Sequence, residues 1–203
     1  MASAVPKTDE SISEAAYFEQ EKRTDTRHEY IDGHAYAMVG GSFNHGRITQ
    51  NIASGIRNHL KGKRCEVFAE STKVKTPLAH NRANYVYPDV VVDCSIEKAD
   101  DNMLTTPVLV VEVLSKSTHY TDKVTKRLIY QQITTLQEYV LIEQDVAEVI
   151  VRRRKNSWLA EEFFLGDSVT FESLALTLTV EEIYERVQNT EVTEWLAKKN
   201  IYK

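Results

Sequence analysis

Tyr87-Pro88-Asp89-Val90-Val91-Val92 and Pro107-Val108-Leu109-Val110-Val111-Glu112-Val113-Leu114 carry the reading of the fold. The first predicts a short buried strand. The second is a β-branched run too continuous to be half exposed, so it belongs near the centre of its sheet. Each carries a carboxylate against its apolar residues: Asp89 opens the first valine run, and Glu112 is the only charge in the second. Residues 122–133 then read as a helix. Its inward stripe holds Lys126 with Ile129, Tyr130 and Ile133, at i+3, i+4 and i+7. Unpaired charges are expensive to bury. These carboxylates and this ammonium should therefore meet one another, a metal ion, or both.

Upstream, residues 1–12 are polar, contain Pro6 and lack an apolar period, and so read as a flexible start. Residues 13–203 read as one domain, since no Pro/Gly/Ser-rich linker divides them. Helix formers fill 13–23, and 27–38 predicts a hairpin turning at Asp32-Gly33. After the Gly40-Gly41 loop, with Ser42 among the candidate caps, Ile48, Ile52, Ile56 and Leu60 recur every four residues. This is the clearest helix in the chain, and His45 lies in its first turn on the inward stripe. Residues 65–69 and 72–76 look like strands, 77–84 a loop, and 93–106 a polar connection. Residues 139–142 and 147–151 predict a hairpin, 158–164 and 169–171 further strands, and 180–187 and 192–196 short closing helices.

The 42% hydrophobic and 27% charged content is ordinary for a soluble globular protein. No stretch approaches the roughly 20 apolar residues that span a bilayer, and the start lacks the apolar centre of a secretory signal, so a cytoplasmic protein is expected. Cys65 and Cys94 lack zinc-site spacing and read as reduced core residues. A net charge of −5 argues against wholesale attraction to nucleic acid but leaves room for a local basic groove. Arg152-Arg153-Arg154-Lys155 is the only dense basic cluster and reads as a solvated strand end sooner than a nucleic-acid groove.

Tyr-Pro-Asp on one strand, a lone Glu in the next and a Lys on the following helix resemble the metal-dependent PD-(D/E)XK nuclease superfamily. Within it, Glu29-Tyr30-Ile31-Asp32-Gly33, Tyr87-Pro88-Asp89-Val90-Val91 and Val111-Glu112-Val113-Leu114-Ser115 look like the Uma-two type family of restriction-endonuclease-like proteins. The resemblance runs over roughly residues 18–187. It implies an α/β fold with a mixed, restriction-endonuclease-like central β-sheet flanked by α-helices. It also implies a Mg²⁺- or Mn²⁺-dependent endonuclease acting on DNA. Asp89 and Glu112 would bind the metal with the main-chain carbonyl of Val113, Lys126 would assist the attacking water, and Glu29 and His45 would support the site.

The chain departs from the superfamily's simplest pattern, which has a lysine two residues after the Glu, where Leu114 stands. Lys126 matches the displaced position that the resemblance implies, with Lys116 and Lys123 as fallbacks. Analogy with restriction-type enzymes adds an expected homodimer. Blander accounts stand beside these. Asp89, Glu112 and Lys126 could form a structural ion-pair network, His45 could be a hydrogen-bonded half-buried histidine, Glu29 could pair with Arg27 or a lysine, and Tyr130 could be plain core. His28, His34, His59, His80 and His119 share no ligand spacing. The rival function is a catalytically inactive module of the same fold that binds nucleic acid or a protein partner.

Overall fold

A computed structural model describes residues 11–38, 40–77, 83–95, 103–115 and 119–201. Ser13 caps α1 (Glu14–Glu21) by accepting from Ala16 N–H. The helix lays Tyr17 on the hairpin of β1 (His28–Ile31) and β2 (His34–Ala37), against Tyr30, Ala35 and Tyr85. The turn is the expected one: Asp32 and Gly33 both take positive φ, 49° and 85°, as a two-residue hairpin requires. Ile12, at the end of the stretch read as flexible, donates its N–H to the Gly33 carbonyl.

Ser42 caps α2 (Phe43–Leu60), and Ile48, Ile52, Ile56 and Leu60 are all buried along it. The chain then crosses between two sheets. β3 (Glu66–Ala69), β6 (Val90–Asp93) and β8 (Pro107–Leu114) enter the larger one. β4 (Lys73–Lys75), β5 (Tyr85–Val86) and β7 (Met103–Leu104) join the hairpin in a five-stranded sheet ordered β2-β1-β5-β4-β7. Pro88, which has no N–H to offer a ladder, stands with Asp89 at the step from β5 to β6. A second sheet was not among the sequence expectations.

After β8 a π-helix, Thr121–Lys126, runs into α3 (Arg127–Gln131), where a regular helix was expected. β9 (Glu138–Glu143), β10 (Glu148–Arg153) and β11 (Ala160–Phe164) complete a six-stranded sheet ordered β11-β10-β9-β8-β6-β3. It is mixed, because β9 pairs parallel with β8 through the long helical connection while the other neighbours are antiparallel. β12 (Ser168–Phe171) and β13 (Leu176–Thr179) form a separate ribbon, followed by α4 (Val180–Ile183) and α5 (Thr190–Ile201).

β8 is central and shows why its pattern is continuous. Val111 and Val113 join Ile48, Ile52 and Ile56 in one core, while Val110 and Leu114 join Ile129, Tyr130 and Tyr139 in the other. Alternation therefore turns Glu112 toward the core under the π-helix and α3.

One expectation is overturned and another is met only in part. Cys65 and Cys94 are joined in a disulfide. The β3–β6 register pairs Glu66 with Asp93, so the next two residues outward fall opposite each other. In the basic cluster Lys155 is exposed, as expected of a solvated strand end, but Arg153 and Arg154 are turned to protein partners. Arg153 is buried on Glu138, and Arg154 donates to the carbonyls of Gln131, Ile133 and Leu136 around the end of α3. No helix among the described residues is long and apolar enough to cross a membrane.

Candidate active site

Asp89 is fixed at the mouth of the central sheet. Its Oδ2 accepts the main-chain N–H of Val113 at 2.6 Å, its Oδ1 lies 3.2 Å from His45 Nε2, and its carbonyl accepts from Glu70 N–H at 3.0 Å. A strand residue turns its N–H and C=O to the same side. The Val113 carbonyl therefore faces the Asp89 side of β8.

Glu112 points the other way, into a buried group around Lys126. One Glu112 oxygen accepts from Lys126 Nζ at 3.1 Å and from the Tyr130 hydroxyl at 2.9 Å. Lys126 Nζ also lies 2.8 Å from Glu29 Oε1 and 3.3 Å from Asp122 Oδ1. Glu29 in turn accepts the Tyr87 N–H at 3.0 Å. The candidates thus gather in two groups, Asp89 with His45 and Glu29 with Lys126 and Glu112. They are linked where Val113 follows Glu112.

Carboxylates crowd this region. Burial, together with Asp122, Asp89 and Glu29, pushes Glu112 well above the usual carboxylate range, although Lys126 pulls the other way. Glu29 is also raised, by burial first, against the pull of Lys126. Burial would lower Lys126, yet Glu112, Glu29 and Asp122 hold it firmly protonated. For His45, burial is outweighed by the hydrogen bond and charge of Asp89, and the net shift is upward. Four carboxylates, Asp89, Glu29, Glu112 and Asp122, thus lie around one ammonium and one imidazole. Burial and mutual repulsion oppose the charged forms of Glu112 and Glu29, and a divalent cation beside them would favour their ionisation.

Among the described residues no three His, Cys, Asp or Glu side chains are arranged to hold a metal ion by themselves. The oxygens on offer are two carboxylates and the Val113 carbonyl. Such a partial set suits a hard divalent cation that keeps water and accepts phosphate oxygens in its remaining positions. The crowding of carboxylates fits the same cation. An open cleft of about 560 Å³ reaches Asp89 and His45, walled also by Arg27, Gly41, Ser42 and Glu70.

Several contributors escaped the sequence reading. Asp122 is buried and shares Lys126, a pairing that its i, i+4 spacing could have signalled. Gly41 lets the backbone come close to His45, since a Cβ there would stand 2.8 Å from Nδ1. Glu70, at φ 53°, shares the cleft wall, and its carbonyl takes a hydrogen bond from Arg27. No sequence signal marks Gly41 or Glu70. Tyr130 is both core and hydrogen-bond donor to the site. Of the fallback lysines, Lys123 pairs with Glu143 at 2.8 Å, and Lys116 lies outside the described residues, as does His80. His28, His59 and His119 are engaged elsewhere, on Glu21, the Leu174 carbonyl and Glu143.

Comparison with known proteins bears on the family and the fold. Residues 15–181 match the family model Uma2, described as "Putative restriction endonuclease". Two proteins of Synechocystis sp. (strain ATCC 27184 / PCC 6803 / Kazusa) are similar in sequence. "Uncharacterized protein slr1290" is 34% identical over 176 residues, 85% of this chain and 91% of that protein. "Uncharacterized protein sll1609" is 33% identical over 140 residues, 68% and 77% of the two chains. A crystal structure from Anabaena variabilis ATCC 29413, of "a putative nuclease belonging to DUF820", superimposes with a TM-score of 0.67 at 24% identity, covering 81% of this chain and 93% of that one. The likeness to that structure shows the shared fold. The family match spans most of the chain, and the chain is a member of the Uma2 family of restriction-endonuclease-like proteins.

Proposed function

We propose that this protein is a divalent-metal-dependent endonuclease that hydrolyses phosphodiester bonds in DNA. The observation that carries the reading is the 2.6 Å contact of Asp89 with the Val113 N–H, which sets one carboxylate beside the residue that follows Glu112 and Lys126's hydrogen bond to it. Asp89, Glu112 and the Val113 carbonyl would hold Mg²⁺ or Mn²⁺. Such an ion supplies a water acidic enough to attack at neutral pH and neutralises charge on the phosphate.

The protein's own groups do the rest. Lys126, fixed in a dry site, aims a permanent positive charge at the attacking water and the developing phosphate charge. Glu29 holds Lys126 from β1. His45 holds the second Asp89 oxygen, so that the carboxylate keeps one orientation. The cleft leaves Asp89 open to a backbone phosphate. With a net charge of −5, DNA binding rests on cations placed locally, such as Arg27 and His45 on the cleft wall, rather than on the overall field. Cutting two strands calls for two such sites, and a homodimer in the cytoplasm completes the proposal.

The test is calorimetric titration of Mn²⁺ into the wild type, Asp89→Asn and Glu112→Gln, with circular dichroism to establish that all three fold. Binding by the wild type that both variants lose, followed by Mg²⁺-dependent nicking of plasmid, is the expected result. A folded wild type that binds no Mn²⁺, even with a DNA oligonucleotide present, overturns it. One observation favours a second reading, a non-catalytic nucleic-acid-binding module: Lys126 is engaged by three carboxylates, as in a structural ion network. DNA binding without metal binding would favour that reading. Light scattering that gives a monomer would remove the dimer.

A further inference from the structure

Asp122 has no role in the mechanism above, yet its placement is unusual. It is 2% exposed, lies one π-helical turn before Lys126, and its Oδ1 stands 3.3 Å from Lys126 Nζ. That oxygen has no hydrogen-bond partner. The main-chain carbonyl of the same residue accepts the Tyr139 hydroxyl at 2.9 Å, which ties this turn to β9. A buried carboxylate oxygen aimed at an ammonium but not hydrogen-bonded to it is expensive unless another arrangement uses it. π-turns recur at functional sites.

The Lys126 ammonium hydrogen-bonds Glu112, the carboxylate assigned above to the metal. Both hydrogen bonds, from Lys126 and from Tyr130, fall on one Glu112 oxygen, so a Glu112 that swings toward a cation carries that acceptor away from the ammonium. When Glu112 turns, the lysine needs a replacement acceptor at short range, or it loses its aim. Asp122 Oδ1 is that acceptor. Glu29 holds the ammonium from the opposite element throughout.

We infer that Asp122 is a positioning residue for Lys126, taking over its ammonium when Glu112 is drawn to a divalent cation. This rests on the metal-dependent reading of the same site. The consequence is a division of labour among three carboxylates. Glu112 exchanges partners, Glu29 is the constant anchor, and Asp122 is the second seat. Asp122 touches neither metal nor substrate in this scheme.

Two measurements test it together. The first is a crystal structure of the Mg²⁺-loaded wild type. Lys126 Nζ hydrogen-bonded to Asp122 Oδ1 and no longer to Glu112, with Glu112 on the metal, is the expected result; Lys126 still hydrogen-bonded to Glu112 with Asp122 Oδ1 unpartnered, or turned out of the site, overturns the inference. The second compares wild type, Asp122→Asn and Asp122→Glu in plasmid cleavage, with circular dichroism as the check on folding. Asp122→Asn should lose about 10- to 100-fold in kcat with KM within about twofold, and Asp122→Glu should recover part of the loss. An unchanged kcat in folded Asp122→Asn overturns the inference, as does a loss confined to KM. If the loaded crystal shows the exchange but the wild type cleaves nothing, the nuclease reading falls and the positioning role stands. If the wild type takes up no Mg²⁺, both fall.

Discussion

Arg153 and Lys126 are both buried cations among carboxylates, and they are built to opposite specifications. Arg153 donates to Glu138 at 3.1 Å, to Glu161 at 2.6 Å and to the Thr170 carbonyl at 2.7 Å. Glu138, 1% exposed, is satisfied in turn by the N–H groups of Glu172 and Ser173 and by the Ser173 hydroxyl. Glu161 and Glu172 are partly in solvent, so one buried cation meets one buried anion. Around Lys126 three buried carboxylates share one ammonium, and an oxygen is left over. The first group is closed and serves the fold. The second crowds three buried carboxylates around one ammonium, and burial opposes the charged form of Glu112.

The comparison can be broken most forcefully at Arg153. Arg153→Met strands Glu138 among satisfied neighbours, and urea unfolding should show a loss of about 3–5 kcal/mol. Lys126→Met should cost less in the metal-free protein, about 1–3 kcal/mol, because burial already raises Glu112, which can shed its charge by taking up a proton. Equal losses for the two variants would mean that both groups are structural.

Glu112→Gln sharpens the contrast through pH. The folded-state pKa of Glu112 is raised, so the folded protein holds a proton that the unfolded chain releases. This group therefore lowers stability as pH climbs from the ordinary value of 4.5 through the raised one, by at most about 1.4 kcal/mol per pH unit. Metal-free wild type minus Glu112→Gln should show that downward slope in urea melts as pH rises above 4.5. A flat difference would remove the opposition to a charged Glu112 on which the comparison stands.

Smaller effects lie at the cleft. Gly41→Ala places a methyl against the His45 ring, 2.8 Å from Nδ1, and should move the ring off Asp89 at a cost of about 1 kcal/mol. The His45 imidazole resonances report the displacement, and unchanged shifts would mean that the ring adjusts without leaving. Finally, the raised His45 pKa means that its pairing with Asp89 contributes stability below about pH 6.5 that is lost as pH rises through the folded-state value. In metal-free Asp89→Asn the NMR titration of His45 should move to lower pH. No movement would detach His45 from Asp89 in solution.

Much of this arrangement was legible in the chain. Ile48, Ile52, Ile56 and Leu60 announced α2, Asp32-Gly33 announced the hairpin, and Lys126 on an apolar stripe announced a buried cation. Those features depend on periodicity and turn chemistry, which act over a few neighbouring residues. The lone charges also indicated that partners must exist, since burial without them is costly.

Which partner each charge takes was decided only by the tertiary structure. Glu29 and Lys126 are far apart in sequence and meet because β1 and the π-helix converge on the same buried ammonium. Cys65 and Cys94 meet because the β3–β6 register sets them opposite each other across a separation of 29 residues. Arg153 turns inward to Glu138 because β10 lies beside β9, a fact absent from a run of four basic residues. Local sequence establishes which face of an element is buried. Strand order and register establish what that face meets, and they arise from the packing of the whole chain rather than from any one stretch of it.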